Sequence, residues 1–179
     1  MSVKYETDRL TYAMMTAEDG DLMLDLDSDP EVMRYITKGK CTTPEDMRDV
    51  YIPRMLSYTD ETCGWGLWKT FRKEDGDFIG WFLLRPNKDA PCEVEIGWRF
   101  KQKYWGMGYG TEGATLFRDH SFAQANVEKL YAIALPGNTG SIGIMKKIGM
   151  TFVKRYIHED TIFDPEEVVH YEMKAPTTR

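Results

Sequence analysis

Trp105-Gly106-Met107-Gly108-Tyr109-Gly110, followed by Thr111-Glu112 and a helix-periodic run toward Ala125, is the stretch on which the reading of this chain turns. A pyrophosphate needs several donors converging on it with no side chains in the way. A glycine-rich turn that opens a helix supplies them, because the first helical turn has free backbone N–H groups and carries the positive end of the helix dipole. Gly106, Gly108 and Gly110 stand just before the helix that the pattern starts near Thr111, with Leu116 and Phe117 facing inward. The same glycines also suit a plain tight connection, so the surroundings decide.

Upstream, Glu93 to Phe100 alternates charged and apolar residues, as in a half-solvated strand. Glu93 and Glu95 therefore project from one face, and Gly97 marks a bulge or a close backbone approach. Trp65 to Thr70 and Phe78 to Arg85 form a hairpin closed by Lys73-Glu74-Asp75-Gly76-Asp77. Glu6 to Ala13 reads as the first strand. Thr16-Ala17-Glu18-Asp19 is a capping box opening a helix that buries Leu22, Met23 and Leu26. Asp29-Pro30-Glu31 and Thr43-Pro44-Glu45 each place an N-cap before a proline, the second starting a helix toward Tyr58.

Downstream, Lys129 to Leu135 reads as a strand ended by Pro136-Gly137-Asn138, and Ser141 to Lys147 as a helix stopped by Gly149. Thr151 to Ile157 and Val168 to Lys174 are the last strands. The loosest stretch is Glu159 to Glu167. The fold class is α/β of the α+β kind, ordered strand, helices, three strands, helix, strand, helix, two strands.

With 179 residues and 42% hydrophobic content, the chain fills one core, and residues 1–179 read as one domain. Its longest apolar run, Phe78 to Leu84, falls far short of the roughly 20 residues of a membrane span. Met1 to Glu6 has no apolar h-region, so a cytoplasmic location is expected. Cys41, Cys63 and Cys92 are widely spaced and read as reduced thiols, while His120, His158 and His170 lack ligand spacing, so no metal is expected. A net charge of −6 opposes nucleic-acid binding and suits an amine or basic peptide partner.

Gly108-x-Gly110-x-x-Gly113 formally matches the dinucleotide fingerprint, with Glu128 20 residues after Gly108. That fold opens with a strand buried on both faces, whereas the strand here carries Glu93, Glu95 and Arg99, and Glu128 precedes its strand rather than ending it. Ser141 follows Thr139-Gly140, so no Gly-x-Ser-x-Gly elbow exists. The downstream signatures of a kinase are also missing.

Five segments in order resemble the GNAT N-acetyltransferases, and within them the RimJ/RimL branch. They are Thr7-Asp8-Arg9-Leu10, Asp29-Pro30-Glu31-Val32, Glu95-Ile96-Gly97-Trp98, Tyr104 to Glu112, and Asn138-x-x-Ser141 with Lys147-Ile148-Gly149-Met150. The resemblance implies a mixed, mostly antiparallel sheet of about seven strands flanked by helices, splayed between the fourth (Glu93 to Phe100) and fifth (Lys129 to Leu135) strands. It implies transfer of the acetyl group of acetyl-CoA to a primary amine, a protein N-terminus or a small molecule, by direct attack on the thioester. The pantetheine arm would lie in the splay against backbone of Trp98 and Phe100. Trp105, Gly106, Met107, Gly108, Tyr109, Gly110 and Thr111 would hold the pyrophosphate, and Asn138 and Ser141 would contact the arm.

Glu95 stands where the family often has its general base, beside Glu93, and Ser141 could protonate the leaving thiolate. N–H groups near Gly97 and Trp98 could polarise the carbonyl. Two departures stand out: Trp105 replaces the wider family's Arg or Gln, and Met145 stands where many members have a tyrosine acid. Trp65, Trp68, Trp81, Tyr35 and Tyr58 could line an acceptor pocket, but aromatics in early helices and a hairpin are more often core, and the core reading is favoured. A monomer or homodimer is expected. The alternative is a non-catalytic acetyl-CoA sensor or scaffold.

Overall fold

The computed structural model describes residues 4–124 and 126–177. Its strands are β1 (Tyr5–Glu6), β2 (Leu10–Met14), β3 (Gly66–Arg72), β4 (Phe78–Pro86), β5 (Glu93–Phe100), β6 (Lys129–Ala134), β7 (Thr151–His158) and β8 (Glu166–Lys174). They form one open sheet in the order β1-β2-β3-β4-β5-β6-β8-β7. All pairs are antiparallel except β5 with β6. The sheet has eight strands rather than about seven, because the expected first strand folds back on itself. Thr7-Asp8-Arg9 makes the turn, and the Thr7 N–H donates to the Leu10 carbonyl at 2.9 Å.

The parallel pair sets the geometry at the middle of the sheet. Its register matches Glu93, Val94 and Glu95 with Lys129, Leu130 and Tyr131, whereas β5 runs on to Phe100 and β6 to Ala134. Between them the chain passes through the glycine loop and helix α5. The β4–β5 register is unbroken from Gly80↔Phe100 to Pro86↔Val94, so Gly97 is not a bulge. A Cβ on Gly97 would make only ordinary contact with Leu83, at 3.5 Å. The close approach belongs to Gly80 instead: its φ is +149°, and a Cβ there would collide with the Arg99 carbonyl. The irregularity in pairing lies between Thr70 and Phe71.

One sheet face is covered by α1 (Gly20–Asp27), α2 (Pro30–Thr37), α3 (Pro44–Asp46) and α4 (Ile52–Tyr58). Met23, Leu26, Val32, Met47 and Met55 pack there on Leu67, Phe78 and Leu83. The capping box forms at Thr16, though Leu22 is only half-buried, and Asp29 and Thr43 cap as their prolines imply. The run from α3 to α4 is wound as a π-turn over Met47–Tyr51, where the Ile52 N–H reaches the Met47 carbonyl. Pro53 follows with no N–H to offer, and a widened turn accommodates a proline that would otherwise break the ladder.

The opposite face carries α5 (Tyr109–Phe122) and α6 (Thr139–Lys147), packed on Leu10, Tyr12, Trp68, Phe82, Val94, Ile96 and Leu130. Phe117 of α5 is fully buried, a burial that contributes about 1.5–3 kcal/mol. The expected helix end at Ala125 and the N-terminal residues 1–3 lie outside the described residues. Gly149, at φ +98°, takes the expected place after α6.

Candidate active site

The glycine loop divides its labour differently from the expectation. Gly106 and Gly108 have φ of +74° and +82°, the left-handed region that favours glycine. Helix α5 begins at Tyr109, two residues before the expected start, with Gly108 as its N-cap. No side chain caps it, so the N–H groups of Tyr109, Gly110 and Thr111 have neither an intrahelical acceptor nor a cap. Gly110 is therefore a helical residue, and its bare Cα admits Ile144 of α6, which any Cβ would strike.

These N–H groups open on a cleft of about 600 Å³ between the end of β5, α2 and α6. Trp98, Phe100, Trp105, Gly106, Gly108, Tyr109, Gly110, Thr111, Asn138 and Ser141 all line it, as the sequence reading anticipated. Met107 does not: its side chain is half exposed, and its carbonyl accepts from Arg9. The Trp105 indole N–H donates to the Phe100 carbonyl at 2.9 Å. Trp105 thus ties the loop back to its strand, and the carbonyl expected to meet pantetheine is already engaged. Asn138 caps α6, its Oδ1 accepting the Ser141 N–H at 3.1 Å. Met145 is buried in the core and does not line the cleft. Tyr35 of α2, Gly143 and Lys147 of α6 and Arg99 line it without having been anticipated.

Glu93 and Glu95 lie outside this cleft, on the sheet face under α1 to α4. Strand alternation puts Glu95, Gly97 and Arg99 in one row. Arg99 pairs with buried Asp27 at 2.7 Å, and its guanidinium lies 4.9 Å from the Trp81 ring centre. Glu95, 13% exposed, is held by Arg85 across the strand pair at 2.6 Å. Gly97 leaves the row without a side chain between them. Glu93 instead pairs with Lys129 at 2.8 Å, and Lys129 also faces Glu172. The two glutamates share a face but not a partner.

Tyrosines from three elements gather near Glu95. Burial pushes the Tyr58 hydroxyl up to about 12, and it raises Tyr131 and Tyr156 as well, with the Glu95 charge adding to each. All three are protonated donors at neutral pH and cannot serve as bases. His170 stacks on Tyr131 at 5.3 Å; burial lowers its pKa, so its ring is neutral near pH 7. Trp65 and Trp68 are buried in the core, Trp81 and Tyr58 are half-buried against it with Tyr58 also beside Glu95, and Tyr35 lines the cleft. No sequence periodicity separated Tyr35 from core aromatics.

The acetyltransferase (GNAT) domain family matches residues 9–151. The chain belongs to the GNAT acetyltransferases. That makes it an acetyltransferase whose acetyl donor is acetyl-CoA, as the sequence reading held. It is 26% identical to the FsC-acetyl coenzyme A-N(2)-transacetylase of Aspergillus fumigatus, over 97% of this chain and 75% of the relative. It is 31% identical to the uncharacterized protein YkkB of Bacillus subtilis, over 84% and 87% of the two chains. RimL, a ribosomal α-N-protein acetyltransferase solved with coenzyme A, superposes with a TM-score of 0.78 at 11% identity, covering 97% of this chain and 98% of its own.

The GNAT fold also accounts for the misleading dinucleotide match. Gly113 lets α5 lie against β4, where a Cβ would strike the Phe82 ring. The last glycine of the dinucleotide fingerprint serves the same close helix–strand packing. What differs is the partner on the other side of β5, which is antiparallel. Among the described residues, no group of three His, Cys, Asp or Glu is placed to hold a metal, and no helix is long and apolar enough to cross a membrane.

Proposed function

We propose that the protein transfers the acetyl group of acetyl-CoA to a primary amine through the cleft at the end of β5. One observation carries this reading: an uncapped helix start, preceded by two left-handed glycines, opens on a cleft that continues along the part of β5 beyond its register with β6. That donor set fits a pyrophosphate, and the strand backbone past Glu95 fits an extended arm added like a strand, the splay that the family resemblance implies.

Acetyl-CoA supplies the activated thioester. The N–H groups of Tyr109, Gly110 and Thr111 hold its pyrophosphate, and backbone near Trp98, with Asn138 and Ser141, orients the arm. Glu95 takes the proton of the incoming ammonium, directly or through one water, since it stands two strand positions from Gly97, about 7 Å along the chain. Backbone N–H at Gly97 or Trp98 would meet the developing oxyanion; as the C–N bond forms and the C–S bond breaks, the nitrogen would lose its excess proton to water, and Ser141 would pass the departing sulfur a proton that it regains from water. The branch resemblance favours a peptide N-terminus as acceptor.

The sensor reading survives on a specific observation: Glu95 is locked to Arg85 outside the cleft, and Met145 offers no acid. Thiol release from acetyl-CoA, measured across peptide N-termini, polyamines, amino acids and aminoglycosides, separates the two. Turnover with at least one amine is expected. Binding of acetyl-CoA with no release above background for any of them would leave the sensor.

A further inference from the structure

Two features of the sequence, the Thr7-Asp8-Arg9-Leu10 motif and the Glu112 side chain, play no part in the chemistry above, yet the fold joins them. Glu112 Oε1 accepts the Thr7 hydroxyl at 2.6 Å and the Arg9 N–H at 3.0 Å, and its Oε2 accepts Arg9 Nε at 2.7 Å. The same guanidinium donates from Nη1 to the Met107 carbonyl at 2.9 Å and lies 4.3 Å from the Tyr109 ring centre. A Cβ on Gly108 would sit 3.4 Å from Arg9 Nη2, so Arg9 backs directly onto the helix start. Arg9 itself does not line the cleft.

We propose that Arg9 is a positioning residue for the pyrophosphate loop, anchored by Glu112 and fixing the orientation of the peptide between Met107 and Gly108. The inference rests on the reading of this loop as the acetyl-CoA site. In a trans peptide the C=O and N–H point in opposite directions. Pinning the Met107 carbonyl on the Arg9 side therefore turns the Gly108 N–H away from Arg9, toward the cleft that Gly108 lines. Two left-handed glycines make this peptide easy to turn over, and the clamp selects one of its orientations before the ligand arrives. That lowers the ordering cost of binding.

Charge gives Arg9 a second task. Glu112 sits in the first turn of α5, where a carboxylate would repel a bound phosphate. Burial works to raise its pKa, but the bonds from Thr7 and Arg9 outweigh this and hold it below the usual value, so it is ionised at neutral pH. The Arg9 guanidinium neutralises it at contact distance. With its side chain 46% exposed, the pair adds little to stability, and its effect is on the loop.

The test compares acetyl-CoA with S-acetylpantetheine, which has the thioester but no pyrophosphate, as donors to the amine that gives turnover. Arg9→Met is expected to raise KM for acetyl-CoA about tenfold, the scale of one charge-assisted hydrogen bond. Its kcat at saturation and its kcat/KM with S-acetylpantetheine should stay within about twofold of wild type, and its melting temperature within about 4 °C. Arg9→Lys keeps a cation near Glu112 but cannot also hold the Met107 carbonyl, and should show a smaller loss with the same donor selectivity. Equal losses with both donors, or no loss with either, in both variants would overturn the proposal. If the wild type itself does not bind acetyl-CoA in a calorimetric titration, the acetyltransferase reading falls, and this inference falls with it.

Discussion

Glu95→Gln is expected to lower turnover about 10²- to 10⁴-fold, the usual contribution of a general base, while acetyl-CoA affinity stays within about twofold. The reason lies in the acceptor: an α-amino group titrates near 8 and a lysine near 10.4, so at neutral pH the amine arrives protonated and cannot attack. Glu95 is the neighbour of the open position at Gly97 in its row of β5, and it lies outside the cleft that would hold the cofactor. Glutamine keeps its shape and can still accept from Arg85. Glu93 is tied to Lys129, and Glu93→Gln should change turnover less than about threefold, within the range of a surface charge change.

The sign of the pH dependence has the same origin. As pH rises toward the acceptor's own pKa, more amine is already free, and the deficit of Glu95→Gln should shrink. Parallel pH–rate profiles for the variant and wild type would remove Glu95 from the mechanism. The neighbouring tyrosines could not replace it, because burial raises all three. Neutral His170 is the next base on that face, and full activity in Glu95→Gln would pass the role to it.

Gly108→Val should weaken acetyl-CoA binding by about 100-fold or more, equivalent to about 2.7 kcal/mol, while the protein still folds. A φ of +82° costs a side-chain-bearing residue roughly 1–2 kcal/mol, and a β-branched one more. The loop escapes the strain by turning the peptide before Gly108, which takes the Gly108 N–H away from the cleft that the residue lines. Stability should fall by about the same 1–2 kcal/mol, a few degrees in melting temperature. Gly110→Val is not an equivalent test, since its side chain would press on Ile144 and disturb α6 instead. Normal acetyl-CoA binding by Gly108→Val in a calorimetric titration would reduce the loop to a connection.

The sequence was most legible where structure depends on neighbours along the chain. The predicted span Glu93 to Phe100 is the span of β5, and the caps at Thr16, Asp29 and Thr43 form as their side chains imply. It was least legible where the cause lies far away. The break at Thr7-Asp8-Arg9 is held by Glu112, more than 100 residues on. Gly110 looks like a loop glycine until Ile144 is placed beside it. The close approach expected at Gly97 falls to Gly80 instead, because only pairing shows which glycine meets a carbonyl. For the site, the residues expected to meet the cofactor line the cleft apart from Met107, and most of them follow one another in sequence, whereas Tyr35, Gly143 and Lys147 reach it from separate helices. The partners of Glu95 were not legible: Arg85 comes from β4, Tyr58 from α4, Tyr131 from β6 and Tyr156 from β7.

A thermal unfolding scan with and without acetyl-CoA tests the central claim most directly. A ligand at about 100 times its Kd that binds only the folded state adds about 2.7 kcal/mol, which for a chain of this size raises the melting temperature by roughly 5–11 °C. That rise is expected with acetyl-CoA and not with NAD. No shift at saturating acetyl-CoA, together with a clear shift on adding NAD, would contradict the account and return the glycine loop to the dinucleotide reading.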